Sequence, residues 1–131
     1  MIAIDRIDHF VMRVADVEAT CAFYAKVLGM EVVSFGGELQ RKALRFGRQK
    51  INLHQAGEEF EPRAAQATVG SGDLCFLCEG SIEDWEAHLR GQGIEIELGP
   101  VLRTGATWPI TSVYVRDPDG NLVEVSVPDL S

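Results

Sequence analysis

Three side chains with metal-ligating groups stand at the ends of apolar runs in this sequence. His9 opens Asp8-His9-Phe10-Val11-Met12, His54 closes Lys50-Ile51-Asn52-Leu53-His54, and Glu124 closes Gly120-Asn121-Leu122-Val123-Glu124. Two imidazoles and a carboxylate can hold a divalent ion and leave coordination positions open for substrate oxygens. The third histidine, His88, falls on a predicted helix and reads as a surface residue. Cys21, Cys75 and Cys78 are an odd set of thiols, expected to be free. Cys75-Phe76-Leu77-Cys78 has redox or zinc spacing, but in a strand its two thiols face opposite sides, so a structural role is expected.

The elements that must position these residues occur in the same order twice. A strand is predicted over Ile7 to Val14, then a helix over Val17 to Leu28 with Asp16 as N-cap and Gly29 as its stop. Three strands follow, Met30 to Ser34, Lys42 to Phe46 and Lys50 to Gln55, with turns at Gly36-Gly37 and Gly47-Arg48. The stretch from Ala56 to Gly72 loses all periodicity and reads as a linker. A strand over Asp73 to Cys78 and a helix over Ile82 to Gln92, capped by Ser81, open the second unit. Strands over Ile94 to Leu98, Thr111 to Arg116 and Asn121 to Val127 complete it, with Asp117-Pro118-Asp119-Gly120 as a hairpin turn. Each unit is β-α-β-β-β, in an α+β protein with module one at 1–56, the linker at 57–72 and module two at 73–131 of a single domain. Laying His54 over Glu124 without gaps aligns the last hairpins, with Lys42 over Ser112 and Gly47 over Asp117.

Period-two alternation then assigns faces. Val123, Val125 and Val127 turn toward the helix, and Leu122, Glu124 and Ser126 turn away. Ile51 and Leu53 turn toward the helix, Asn52 and His54 away. Phe10, Met12 and Val14 pack inward, opposite His9, Val11 and Arg13. All three ligand candidates thus point away from the helical layer, onto a face suited to a small molecule. Leu44, Phe46, Leu74, Phe76 and Tyr114 are expected to wall that face, which leaves Arg45 on the helix side. Arg41, Arg103 and Trp108 are the candidates for closing over a substrate.

The totals limit partners. At 131 residues, with 46% hydrophobic and 24% charged residues, the chain can bury a core. A net charge of −8 argues against nucleic acid and anionic membranes. No run is long enough to span a membrane and the N-terminus has no apolar signal region, so a cytoplasmic protein is expected.

The motifs Asp8-His9-Phe10, Phe23-Tyr24-Ala25-Lys26-Val27-Leu28-Gly29-Met30 and Asp117-Pro118-Asp119-Gly120-Asn121-Leu122-Val123-Glu124 together resemble the vicinal oxygen chelate superfamily. That superfamily contains glyoxalase I, extradiol dioxygenases, fosfomycin-resistance enzymes and bleomycin-resistance proteins. Lys50-Ile51-Asn52-Leu53-His54, Asp73-Leu74-Cys75-Phe76 and Arg103-Thr104-Gly105-Ala106 are similar to the subgroup of glyoxalase domain-containing protein 5. The resemblance implies two modules forming a cupped eight-stranded mixed sheet, with helices outside and a divalent Fe, Mn, Ni or Zn ion within. It places His9 at the first ligand position and Glu124 at the last, His54 where glyoxalase I has a carboxylate, and Leu74 at the remaining one. It implies a catalytic Tyr114 beside Glu124, and a homodimer in which His9 and His54 of one chain meet Glu124 of the other. The expected function is a metal-dependent enzyme of lyase, isomerase or dioxygenase type on a small oxygen-bearing substrate. The alternative is a non-catalytic drug- or metabolite-binding protein of the bleomycin-resistance type.

Overall fold

Local chemistry sets both helices. In the computed structural model, which describes residues 2–58 and 60–130, helix α1 spans Val17–Leu28. The ends of module one at Met1 and of module two at Ser131, and Glu59 of the linker, lie outside the described residues. Asp16 Oδ1 accepts the N–H groups of Glu18 and Ala19 at 3.0 and 3.3 Å, satisfying donors that the first turn leaves over. Gly29 ends the helix in the left-handed region (φ 70°), where Met30 N–H returns to Tyr24 C=O. Thr20, Cys21, Tyr24 and Val27 form its buried stripe. Helix α2, Ile82–Gly91, starts at Ser81, whose Oγ accepts Asp84 N–H at 3.1 Å, and buries Ile82 and Leu89.

The strands are β1 (His9–Val14), β2 (Glu31–Phe35), β3 (Arg41–Phe46), β4 (Gln49–Gln55), β5 (Asp73–Leu77), β6 (Leu98–Thr104), β7 (Pro109–Arg116) and β8 (Leu122–Pro128). They form two mixed four-stranded sheets of the same topology, β1-β4-β3-β2 and β5-β8-β7-β6. In each, the first and last strands of the module pair in parallel and the other pairs are antiparallel. A parallel pair needs a crossover, which α1 and α2 supply. The chain divides into two compact units, Met1–Gly70 and Ser71–Ser131.

One face of each sheet lies under its helix. In the first unit Met12, Val14, Leu44, Ile51 and Leu53 are buried; in the second Val113, Val115, Val123 and Val125 are fully so. The alternation read for β1, β4 and β8 holds.

For β3 and β5 the phase is opposite to expectation. Leu44 pairs with Ile51 and Phe46 with Gln49, so both turn to the helix side. Arg41, Ala43 and Arg45 therefore share the face of Asn52 and His54. Arg45 is exposed and ion-paired with Glu31, its neighbour on β2. Leu74 pairs with Val123 and Phe76 with Val125, which puts them on the helix side, while Cys75 pairs with Glu124. Both strands carry apolar groups at successive positions, so alternation alone has no phase to report.

Strand β6 is also displaced, from the expected Ile94–Leu98 to Leu98–Thr104. Gly99-Pro100 reads as a break, yet both residues lie within an edge strand, where a missing N–H is tolerated. The register slips there, between Leu98 and Val101. Gly99 has φ 112°, and a Cβ on it would lie 2.4 Å from Ser112 O, so only glycine fits.

Candidate functional site

Glu124 is the centre of the second unit's open face. It stands on β8 between Cys75 of β5 and Tyr114 of β7. Ser112 Oγ donates to Glu124 Oε2 at 2.6 Å, Ser126 Oγ lies 2.7 Å from Ser112 Oγ, and Cys75 Sγ lies 3.3 Å from Ser126 Oγ. With Ser112's hydrogen committed to the carboxylate, the Ser126 hydroxyl can donate to Ser112 or to Glu124 Oε2, and the Cys75 thiol can donate to Ser126. Burial, its largest influence, pushes the Cys75 thiol above its ordinary pKa, which suits that donor role. The two hydroxyls that reach the carboxylate, Ser112 at 2.6 Å and Ser126 at 3.5 Å, do so at Oε2 and leave Oε1 for a ligand.

A cavity of about 310 Å³ opens beside this carboxylate, lined by Cys75, Leu77, Ile110, Trp108 and Glu124 and closed by the loop Thr104–Trp108. Gly105 N–H donates to Trp108 C=O at 2.9 Å, and a Cβ on Gly105 would come within 2.4 Å of that oxygen. This backbone contact helps hold Trp108 at the rim. Tyr114 Oη accepts Arg103 Nε–H at 3.0 Å, and the guanidinium lies 5.7 Å from the ring centroid. Tyr114 pairs with Glu124 across β7 and β8, Arg103 reaches Tyr114, and Trp108 lines the cavity beside Glu124. Cys75 and Ser112 were missed, although each shares its strand's parity with the ligand face.

The first unit's open face has different chemistry. His9 is exposed at the start of β1, its Nδ1 2.8 Å from Asp8 Oδ2. The Asp8 carboxyl is held below its ordinary pKa chiefly by that hydrogen bond, so it accepts and Nδ1 donates. That leaves a lone pair on Nε2, the tautomer of a metal-bound imidazole with a carboxylate behind it.

His54 lies on the same face but at the other end. His9 pairs with Lys50 and Arg13 with His54, four ladder steps apart, or roughly 13 Å along the strands. The His54 ring is 6% exposed, and Arg41 Nη2 lies 2.8 Å from its Nε2. A guanidinium cannot accept, so the lone pair of Nε2 is used. Burial first, then the charges of Arg41 and Arg13, hold His54 below its ordinary pKa. A cation would meet two guanidiniums and no free lone pair at Nε2. His9 and Glu124, each within its own unit, keep a lone pair that a metal could use, and His54 does not.

The pairing also corrects the repeat. Counted from the first pair of each parallel ladder, His9↔Lys50 and Asp73↔Leu122, the third pairs are Val11↔Asn52 and Cys75↔Glu124. The counterpart of Glu124 is Asn52, and that of His9 is Asp73, not Leu74. The gapless superposition failed because two residues separate Phe46 from Gln49, whereas three separate the equivalent Asp117 and Asn121. The longer turn is built by Asp117, whose Oδ1 accepts the N–H groups of Asp119 and Asn121. Phe46 lines a different feature, an open cleft of about 740 Å³ around the β3–β4 turn with Arg45, Arg48 and Lys50.

With this geometry in place, the comparisons with known proteins are specific. Residues 6–125 match the Glyoxalase/Bleomycin resistance protein/Dioxygenase superfamily, and the chain belongs to it. It is 54% identical over 123 residues to Virulence protein STM3117 of Salmonella typhimurium, covering 94% of this chain and 84% of that protein. It is 53% identical over 125 residues to Glyoxalase domain-containing protein RDO1 of Mycosarcoma maydis, covering 95% and 69% of the two. The integron cassette protein VCH_CASS1, from the mobile metagenome of V. cholerae, superposes with a TM-score of 0.94 at 54% identity, covering 98% of this chain and 99% of that one.

Proposed function

We propose that this chain is a metal-dependent enzyme acting on a small oxygen-bearing substrate chelated through two of its oxygens, by lyase, isomerase or dioxygenase chemistry. His9 and Glu124 would hold the divalent ion, whether Fe, Mn, Ni or Zn. The observation that carries this reading is their preparation: Asp8 fixes the His9 tautomer, and two serine hydroxyls and a thiol orient Glu124 with Oε1 open. A bound ion supplies Lewis-acid polarisation of a substrate oxygen. Tyr114 holds a proton at Oη that Arg103, already donating to that oxygen, leaves free to pass to the substrate. Trp108 and Ile110 exclude water beside Glu124. We further propose a cytoplasmic homodimer, each chain one domain of two modules.

Elemental analysis of protein purified without chelator tests this. Stoichiometric metal should be present, be lost in His9→Ala and Glu124→Ala, and persist in His54→Ala. Retention in the first two variants would overturn the assignment.

A second reading is a non-catalytic binding protein for a drug or metabolite. It is favoured by the Arg41–His54 bond and by the described residues, which within neither unit bring three His, Cys, Asp or Glu side chains together. It requires that metal-free protein bind its ligand with undiminished affinity.

A further inference from the structure

On β3 and β4 the first unit's open face holds two buried polar atoms that its own fold does not satisfy. Among the described residues, Arg41 Nε and Asn52 Oδ1 are buried and have no hydrogen-bond partner. Buried donors and acceptors are almost always paired, because each loses its water on burial. The two atoms belong to neighbouring strands on one face: Asn52 pairs with Ala43, and Arg41 follows two residues along, beside His54.

Arg41 is also held still. Its Nη2 donates to His54 Nε2 at 2.8 Å, and its guanidinium lies 5.0 Å from the Phe35 ring centroid and 4.7 Å from that of Phe60. The Phe60 ring in turn lies 4.8 Å from the His54 ring. Lys50 Nζ, 4.0 Å from the Phe35 centroid, adds a second positive charge on this face. No carboxylate among the described residues pairs with Arg41. The side chain thus keeps a fixed, uncompensated charge and one buried, unused donor between two aromatic walls.

We propose that Arg41 and Asn52 form a subsite for the oxygen end of an aromatic 2-hydroxy acid. An anionic carboxylate oxygen would accept from Arg41 Nε–H, and the neighbouring hydroxyl would donate to Asn52 Oδ1. The attached ring would pack against Phe35 and Phe60, whose faces already stack on the guanidinium. His54 is the positioning residue, acting only through Arg41. The subsite uses no metal, so this inference goes beyond the enzymatic reading and does not depend on it.

The test follows the Arg41 Nε–Hε resonance of the whole chain by NMR, assigned by triple-resonance methods, in EDTA. Mandelate should move it saturably. Phenylacetate, which lacks only the hydroxyl, should bind about tenfold or more weakly, because Asn52 Oδ1 then stays unpaired. Asn52→Ala, or Asn52→Ser should the first variant not fold, should erase that preference. The proposal is overturned if mandelate causes no saturable displacement. It is equally overturned if mandelate, phenylacetate and chloride act alike, or if the preference survives at position 52. Because chelator is present throughout, the metal assignment can fail while this subsite stands, and the reverse.

Discussion

The two units share one topology and carry opposite chemistry on the same face. In the first, Arg13, Arg41, Arg45 and Lys50 surround Asn52 and His54. In the second, Asp73, Cys75, Ser112 and Ser126 surround Glu124. At the third pair of each parallel ladder the residue is Asn52 in one and Glu124 in the other. A neutral amide among cations suits an anion; a carboxylate backed by hydroxyls suits a cation or a proton. Repetition therefore fixed the backbone and left the charge of each face free to diverge.

The helix-side layer is where the units remain alike, and it gives the largest expected effect. Leu44→Ala should destabilise by about 2–5 kcal/mol in denaturant unfolding, because Leu44 is fully buried against Ile51. Arg45→Ala, one residue on, should stay within about 0.5 kcal/mol. The reverse ranking would restore the alternation first read for β3.

Next come the open faces. Ser112→Ala removes the 2.6 Å bond to Glu124 and should weaken metal binding about 10-fold or more in a competition titration. Asn52→Ala should leave metal affinity unchanged. Equal losses in both would make the two third-pair positions chemically equivalent and dissolve the contrast.

A smaller effect is visible in pH. His54 is held below its ordinary value of 6.5 in the folded chain, so below that pH the unfolded chain binds more protons. Stability should fall as pH drops from about 6.5 toward the lower folded value and be flat above it. Chemical denaturation across this window should show the slope in the native sequence and lose it in His54→Gln. No corresponding histidine faces Glu124 on β5, β7 or β8.

The smallest effect belongs to the rim. Glu31→Ala breaks an exposed pair with Arg45, worth about 0–1 kcal/mol, and that should vanish in high salt.

How much of this the residues announce in advance depends on the range of the interaction. Asp16, Gly29, Ser81 and the Asp117 turn act within a few residues, and the helices and turns they define were legible. His9, Glu124, Tyr114 and Trp108 stand out in the sequence as candidate chemical groups, and their roles are proposals. Strand β6 was misplaced because a Gly-Pro pair that normally ends a strand is accommodated at a sheet edge by a slip of register. Phe60 was passed over as part of an aperiodic linker, and only its stacking on Arg41 and His54 gives it a role.

The amino-acid order by itself determined two βαβββ modules, their caps, and the side of β1, β4 and β8 that each residue faces, since those depend on local dihedral preference and period. Only the tertiary structure decided that Asn52 stands where Glu124 stands in the other module. It also decided that Leu44 and Leu74 turn inward, and that His54 serves Arg41. Register is a property of two strands and the turn between them, and a turn one residue longer moves every later partner.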